Sequence, residues 1–308
     1  MSSPTVFVCG ITGTQGGAVA RALLSRAVPV HAVARDPSSK NATAMAYLGA
    51  KLWPGDYDDG AALRSALRGC SAVFLNLSPD FTNPGAELRL AKAIMAAARD
   101  EGVNHLVYSS GLSVNAPERL PHWDPQGSTA LILLSKQAIE REVRAAGFPR
   151  WTVLRPGNFM ANFLDPLVKM YAGLVEHGRW STALRAGSVL PMADALTIGN
   201  FASEVILRPD RFHAQEVEIA DEFLVLGQLM PKLSAVAGRD LQAVYMSDDE
   251  VDEQKKTNPM VAAMLIMRDL GIFVDLEKVK SWGVPLSSFD AFLEREKKRV
   301  LETYQKAP

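Results

Sequence analysis

Val6-Phe7-Val8-Cys9-Gly10-Ile11-Thr12-Gly13-Thr14-Gln15-Gly16-Gly17 is the stretch whose reading decides the fold. An apolar strand runs into glycines at 10, 13 and 16, and Gly17 to Arg26 reads as a helix. A glycine turn between strand and helix lets backbone N–H groups approach a pyrophosphate, and the helix N-terminus favours its negative charge. The next apolar run, Val30–Ala34, ends in Arg35. The residue closing this second strand meets the adenine-side ribose: an acid suits the 2′-hydroxyl of NAD, an arginine the 2′-phosphate of NADP. Spaced G-x-x-G-x-x-G is weak by itself. Strand before, helix after, second strand and a charge at the right distance make it specific. The sequence therefore points to NADP(H), against the alternative of a flexible loop followed by a solvated arginine.

Outward from that unit, strand and helix alternate. Strands are expected at 5–9, 30–34, 51–53, 72–77, 105–109 and 151–154, and helices at 17–26, 39–48, 60–67, 86–99 and 129–146. The strands are short and rich in Val, Leu and Phe, as buried parallel strands are. Such alternation argues an α/β fold with a doubly wound parallel sheet, whose ligands sit beyond the carboxyl ends of the strands. From Pro156 onward the pattern breaks into short helices and irregular pieces punctuated by prolines. A strand at 216–220 is expected to return to the sheet. Helices are expected at 223–237, 248–254, 259–270 and 287–299, the last capped by Ser287 or Ser288, with Phe289, Phe292 and Leu293 on one face. The division expected is 1–155 for the dinucleotide-binding domain and 156–308 for a smaller, mostly helical substrate lobe. That lobe is read as discontinuous, intimately packed and covering the nicotinamide end of the cleft.

Bulk properties narrow the function classes. With 308 residues, 48% of them hydrophobic, there is ample material for a core. A net charge of -1 gives no support for a nucleic-acid surface. No apolar run approaches a membrane span, and the N-terminus enters the first strand almost at once, so a soluble, cytoplasmic protein without a signal peptide is expected. Cys9 and Cys70 read as buried structural thiols. The five histidines show no ligand spacing, and no metal site is expected. Lys297, Lys298 and Arg299 read as a solvated helix end.

With these residues laid out, the chain resembles the NmrA-like family of atypical short-chain dehydrogenases/reductases, which have the NAD(P)-binding Rossmann fold. The resemblance covers most of the chain and is strongest over the first 160 residues or so. It is carried by the 10–21 turn, by Arg35, by Gly55-Asp56-Tyr57-Asp58-Asp59, by Val107-Tyr108-Ser109-Ser110-Gly111, by Lys136 in Ser135-Lys136-Gln137, and by Leu154-Arg155-Pro156-Gly157-Asn158-Phe159. The resemblance implies a cofactor site. Gly10, Thr12, Gly13, Thr14, Gln15 and Gly16 would lie around the pyrophosphate, Arg35 at the 2′-phosphate, and Asp56 and Tyr57 at the adenine. Asn76, Leu77, Ser78, Ser109 and Lys136 would line the ribose and the reacting centre, and Pro156, Gly157, Asn158 and Phe159 the nicotinamide. The family holds both reductases of conjugated or aromatic compounds and dinucleotide-binding proteins that report redox state to a partner.

The wider superfamily uses tyrosine and lysine as Y-x-x-x-K, the tyrosine protonating the substrate oxygen. Here Ile132 stands four residues before Lys136. Lys136 could act itself, Tyr171, Tyr57 or His122 could enter from a loop, or the acceptor could be quinone-like and need no strong protein acid. Lys136, Glu140 and Arg144 have the spacing of a solvent-facing charged stripe, but a role for Lys136 at the cofactor is favoured because it follows Leu131, Ile132, Leu133 and Leu134. Ser109 and Ser110 could meet nicotinamide or substrate, or simply form a turn. Asn158 could orient substrate or cap a helix. Trp123 and His122 in the long 112–128 loop, with Phe159, Met160, Phe163, Met170 and Tyr171, could line an apolar pocket or be packing. The candidate catalytic residues are Lys136, Ser109 and Tyr171. The expected activity is NADPH-dependent reduction of a small apolar, conjugated or aromatic carbonyl, enone or quinone-like substrate. The rival is a catalytically inactive NADP(H)-binding regulator acting through a protein partner. A homodimer is left open.

Overall fold

The computed structural model describes residues 3–80, 83, 85–127 and 129–305. Contacts divide the chain into two compact units: Met1–Val114, Ile132–Pro156 and Ala195–Ile219 form the first, and Asn115–Leu131, Gly157–Asp194 and Ala220–Pro308 the second.

The first unit is built on seven parallel strands: β1 (Val6–Val8), β2 (Val30–Ala34), β3 (Lys51–Pro54), β4 (Ala72–Leu75), β5 (His105–Ser109), β6 (Arg150–Pro156) and β10 (Gln215–Ile219). Their order is β3-β2-β1-β4-β5-β6-β10. All of β1, β4 and β5 is buried, which is why β1 and β4 are continuous apolar runs rather than alternating ones. The strand expected at 216–220 is β10, and it pairs with β6 in register Val217 to Leu154. Helices α1 (Thr14–Leu24), α2 (Lys40–Tyr47), α3 (Gly60–Leu67), α4 (Ala86–Asp100), α5 (Ala130–Ala145), α7 (Ala195–Leu207) and α8 (Pro209–Phe212) complete the alternation. Order reverses between β1 and β4, so the switch point lies at the end of β1, where the glycines are.

Helix α7 was not legible in the sequence. It is buried at Thr197, Ile198, Gly199, Phe201, Ala202, Ser203, Val205 and Ile206, leaving little polar face to reveal a helical period. It packs on α1 so closely that a Cβ at Gly199 would lie 2.7 Å from the Ala18 carbonyl oxygen. A glycine in mid-helix is thus explained by backbone approach, and it is also what disguises the helix.

His105 opens β5 with 3% of its surface exposed, and its Nε2 has no hydrogen-bond partner among the described residues. Burial, then Arg150 and His213, lower its pKa to about 4. The unfolded imidazole takes a proton near pH 6.5, whereas the folded one resists until about 4. Stability is therefore full above about pH 7 and falls as pH drops through that window, by about 3 kcal/mol at the acid end. Thermal melts of His105→Gln are expected to lose this part of the acid slope relative to the parent, and an unchanged slope would exclude His105 as its source.

The second unit contains strands β7 (Asn158–Phe159), β8 (Arg179–Thr182), β9 (Leu190–Ala193), β11 (Glu222–Leu224) and β12 (Gln242–Tyr245). They form two small sheets, β11-β9-β7 and β12-β8. Its helices are α6 (Leu174–His177), α9 (Leu226–Ala237), α10 (Asp248–Gln254), α11 (Pro259–Met267), α12 (Leu276–Ser281), α13 (Phe289–Arg295) and α14 (Lys297–Tyr304). The helix expected from 223 starts instead at Leu226, because Phe223 and Leu224 pair as strand with Pro191 and Leu190. The helix expected over 287–299 is two helices divided at Glu296, the first capped by Ser288. The core of this unit gathers Phe163, Tyr171, Trp180, Phe289 and Tyr304. Among the described residues, no helix is long and apolar enough to cross a membrane.

Candidate dinucleotide site

At the carboxyl end of β1, Gly10 adopts φ +64°, a conformation that L side chains rarely take, and its oxygen accepts from the Gly13 N–H at 2.9 Å. Helix α1 begins at Thr14, three residues earlier than the sequence suggested, so Thr14, Gln15 and Gly16 are its first turn rather than loop. The first N–H groups of a helix have no intrahelical acceptor, and Gly13 at the N-cap supplies no side-chain cap. A Cβ on Gly16 would lie 2.3 Å from the Gly10 oxygen and 2.4 Å from that of Cys9. Glycine is what lets α1 start this close to β1. Thr12 and Thr14 are exposed beside the turn.

Side chains brace this turn. The Gly10 N–H donates to the Tyr57 hydroxyl at 2.7 Å. Burial raises the Tyr57 pKa, with the adjoining Cys9 adding to it, so the phenol that supports the loop is a weaker acid than a free one. Burial likewise pushes the Cys9 thiol up to about 12, as befits a packed thiol. Gln15 spans two further strands: its Nε2 donates to Asn76 Oδ1 at 3.2 Å, and its Oε1 accepts from Ser109 Oγ at 2.7 Å. The ends of β1, β4 and β5 are thereby tied together. Leu77 is buried and Ser78 exposed just beyond Asn76.

Arg35 is exposed at the end of β2, next to β1, and has no ion-pair partner among the described residues. Its neighbour Asp36 is occupied by the backbone N–H and hydroxyl of Ser38. Asp56 is exposed after β3 and accepts the Tyr57 N–H at 2.7 Å.

Three readings of the reacting centre need correction. The alternative of a solvent-facing charged stripe on α5 fails at Lys136 and Glu140, although Arg144 is exposed. Glu140 is 1% exposed and takes both Nε and Nη2 of buried Arg155, at 2.9 and 2.7 Å, as well as the Ser110 hydroxyl. Lys136 is largely buried and its Nζ meets Glu87 Oε1 at 2.9 Å. Glu87 went unnoticed because an acid in the first turn of a helix is ordinary, and only its bonds to Ser135 and Lys136 of α5 set this buried one apart. Second, Ser109 and Ser110 are 1% and 6% exposed and donate to Gln15 and Glu140, so their hydroxyls serve the framework. Third, Tyr171 belongs to the core of the second unit. It is 2% exposed, with ring centroids 4.3 Å from Trp180 and 5.1 Å from Phe163, and burial raises its pKa to about 12. Met160 and Phe163 are buried there too, so packing, not a pocket, accounts for them.

Pro156 ends β6, and Gly157 follows as the first residue of the second unit. Asn158 does not cap a helix. With Phe159 it forms β7 against Met192 and Ala193, and its Nδ2 is buried without a hydrogen-bond partner among the described residues. Trp123 is half-buried and His122 exposed in the second unit. Burial, then the nearby Arg268, lower the His122 pKa.

A parallel sheet with its order reversing beside an uncapped glycine turn defines the Rossmann-type fold characteristic of NAD(P)-binding proteins. The NmrA-like family model matches residues 2–290, and the chain belongs to that family. An NAD(P)H azoreductase of Xenophilus azovorans is 27% identical over 253 residues, covering 80% of this chain and 79% of its own. Two solved structures share the fold. An NADPH-dependent quinone oxidoreductase of Escherichia coli, solved with NADPH, aligns with TM-score 0.69 and 24% identity over 94% of this chain and 98% of its own. NmrA, a negative transcriptional regulator solved with NAD, aligns with TM-score 0.67 and 16% identity over 99% of this chain and 96% of its own.

Proposed function

We propose that this protein is an NADPH-dependent reductase of a small, apolar, conjugated acceptor. The observation that carries it is Arg35: an exposed guanidinium without a counter-ion among the described residues, at the end of the strand beside a glycine turn that presents uncapped helix N–H groups. The residues fit the dinucleotide. The first-turn N–H groups of Thr14, Gln15 and Gly16 would hold the pyrophosphate, and Arg35 the 2′-phosphate in charge-assisted hydrogen bonds. Asp56 would meet the adenine edge, and Lys136 would donate to the ribose with the N–H groups that Glu87 leaves free. NADPH, when bound, supplies the hydride.

With Ile132 in place of the tyrosine, Tyr57 half-buried under the turn and Tyr171 buried, a carbonyl that needs a strong protein acid is poorly served. A quinone-like acceptor takes hydride into a delocalised system and its proton from water. The names of the azo and quinone reductase relatives fit that choice. Purified protein is expected to oxidise NADPH with quinones or azo dyes and to leave simple aryl ketones untouched. The reverse order would refute the substrate class.

A second reading is favoured by the same missing tyrosine together with the pairing of Lys136: a dinucleotide-binding regulator without turnover, acting through a protein partner. Tight NADPH binding with no oxidation by any acceptor would select it.

Gly16→Ala tests the turn. A Cβ among backbone atoms cannot be relieved by moving a side chain. A cost of about 1–3 kcal/mol is expected, with NADPH and NADH both weakened about tenfold or more. Equal loss for the two cofactors, read by calorimetry, would distinguish the turn from Arg35.

A further inference from the structure

We propose that Glu87 is the positioning residue for Lys136, fixing where its ammonium stands at the dinucleotide. The proposal rests on the reading that Lys136 works there. Glu87 sits in the first turn of α4 and is 4% exposed. Its two oxygens are taken by consecutive residues of α5: Oε1 by Lys136 Nζ at 2.9 Å and Oε2 by Ser135 Oγ at 3.0 Å. The grip is directional. Ser135 orients the carboxylate, and the carboxylate then pins the end of a lysine that otherwise has four rotatable bonds. An ammonium has three donors, so the pair leaves two for a ligand. Glu87 is the nearest counter-charge, and its place at the start of α4 suits an anion.

The pair is not what holds the two helices together. Lys92 bridges to Glu142 at 2.8 Å, and Arg99 donates to the Ala146 oxygen at 3.0 Å, both between α4 and the α5 end. Replacing Glu87 with the isosteric amide should therefore leave a folded protein with an unanchored lysine.

The test is a double-mutant cycle read in NADPH affinity by calorimetry, not in turnover. Glu87→Gln and Lys136→Met should each weaken NADPH about tenfold, roughly the worth of one charge-assisted bond. The double variant should bind as Lys136→Met does, because Glu87 acts only through the lysine. Glu87→Asp should recover part of the loss, and Ser135→Ala should show a smaller loss of its own. Effects of Glu87→Gln and Lys136→Met that multiply would overturn the proposal, as would a Glu87→Gln protein that melts lower but binds NADPH normally. If Lys136→Met binds normally while Arg35→Ala does not, the proposal falls with its premise about Lys136 and the cofactor assignment stands. Normal binding in all of these, Arg35→Ala included, refutes the dinucleotide reading itself.

Discussion

Arg35→Ala is expected to weaken NADPH binding by about ten- to a hundredfold and to leave NADH binding almost unchanged. A hydrogen bond to a charged group contributes about 1.5–3 kcal/mol, and about 1.4 kcal/mol is tenfold in affinity. Arg35 is exposed and carries no competing ion pair among the described residues, so no partner within the protein must be released before it meets a phosphate. The loss should shrink as salt rises, since an exposed charge pair is screened. An unchanged NADPH/NADH ratio in the variant would show that Arg35 does not select the cofactor.

Arg155→Met should be the most destabilising of the substitutions considered. Arg155 is 1% exposed and lies among three carboxylates, Glu140, Glu216 and Glu218, with Arg144 shared between the first two. Burial would raise the Glu216 pKa, yet Arg144 and Arg155 together hold it below its ordinary value. Removing one partner of a buried pair leaves an uncompensated charge, at about 3–5 kcal/mol. Here the under-compensated charge is Glu140, also 1% exposed, which would keep only Arg144 and the Ser110 hydroxyl. Arg155→Met with Glu140→Leu should be more stable than Arg155→Met alone, because the stranded charge leaves with its partner. Thermal melts decide it: a double variant less stable than the single one would mean that the network acts through geometry rather than charge. Arg155 directly precedes Pro156 and Gly157, so the network also anchors the end of β6 from which that turn departs.

How far the sequence carried can be read from particular residues. The first unit was legible because buried parallel strands are short apolar runs: Val30–Ala34 and His105–Ser109 were placed to the residue. Glycines at the first turn announced themselves, since their need is local. What stayed hidden depends on packing between distant segments. Helix α7 shows little polar face and carries a glycine that α1 requires. Glu140 and Lys136 kept the spacing of a surface stripe, and nothing local says that Arg155 and Glu87 wait to pair with them. Tyr171 offered a hydroxyl in the sequence, but its place among Phe163 and Trp180 makes it core. Residues were thus legible where backbone conformation demands them, as at Gly10 and Gly16. They were misassigned where burial decides.

The most direct measurement is calorimetric titration of the purified protein with NADPH and with NADH at one fixed salt concentration. The account predicts clear one-to-one binding of NADPH, at least about tenfold tighter than NADH. Equal affinities, or tighter NADH, would contradict the role given to Arg35, and no binding of either would contradict the site itself.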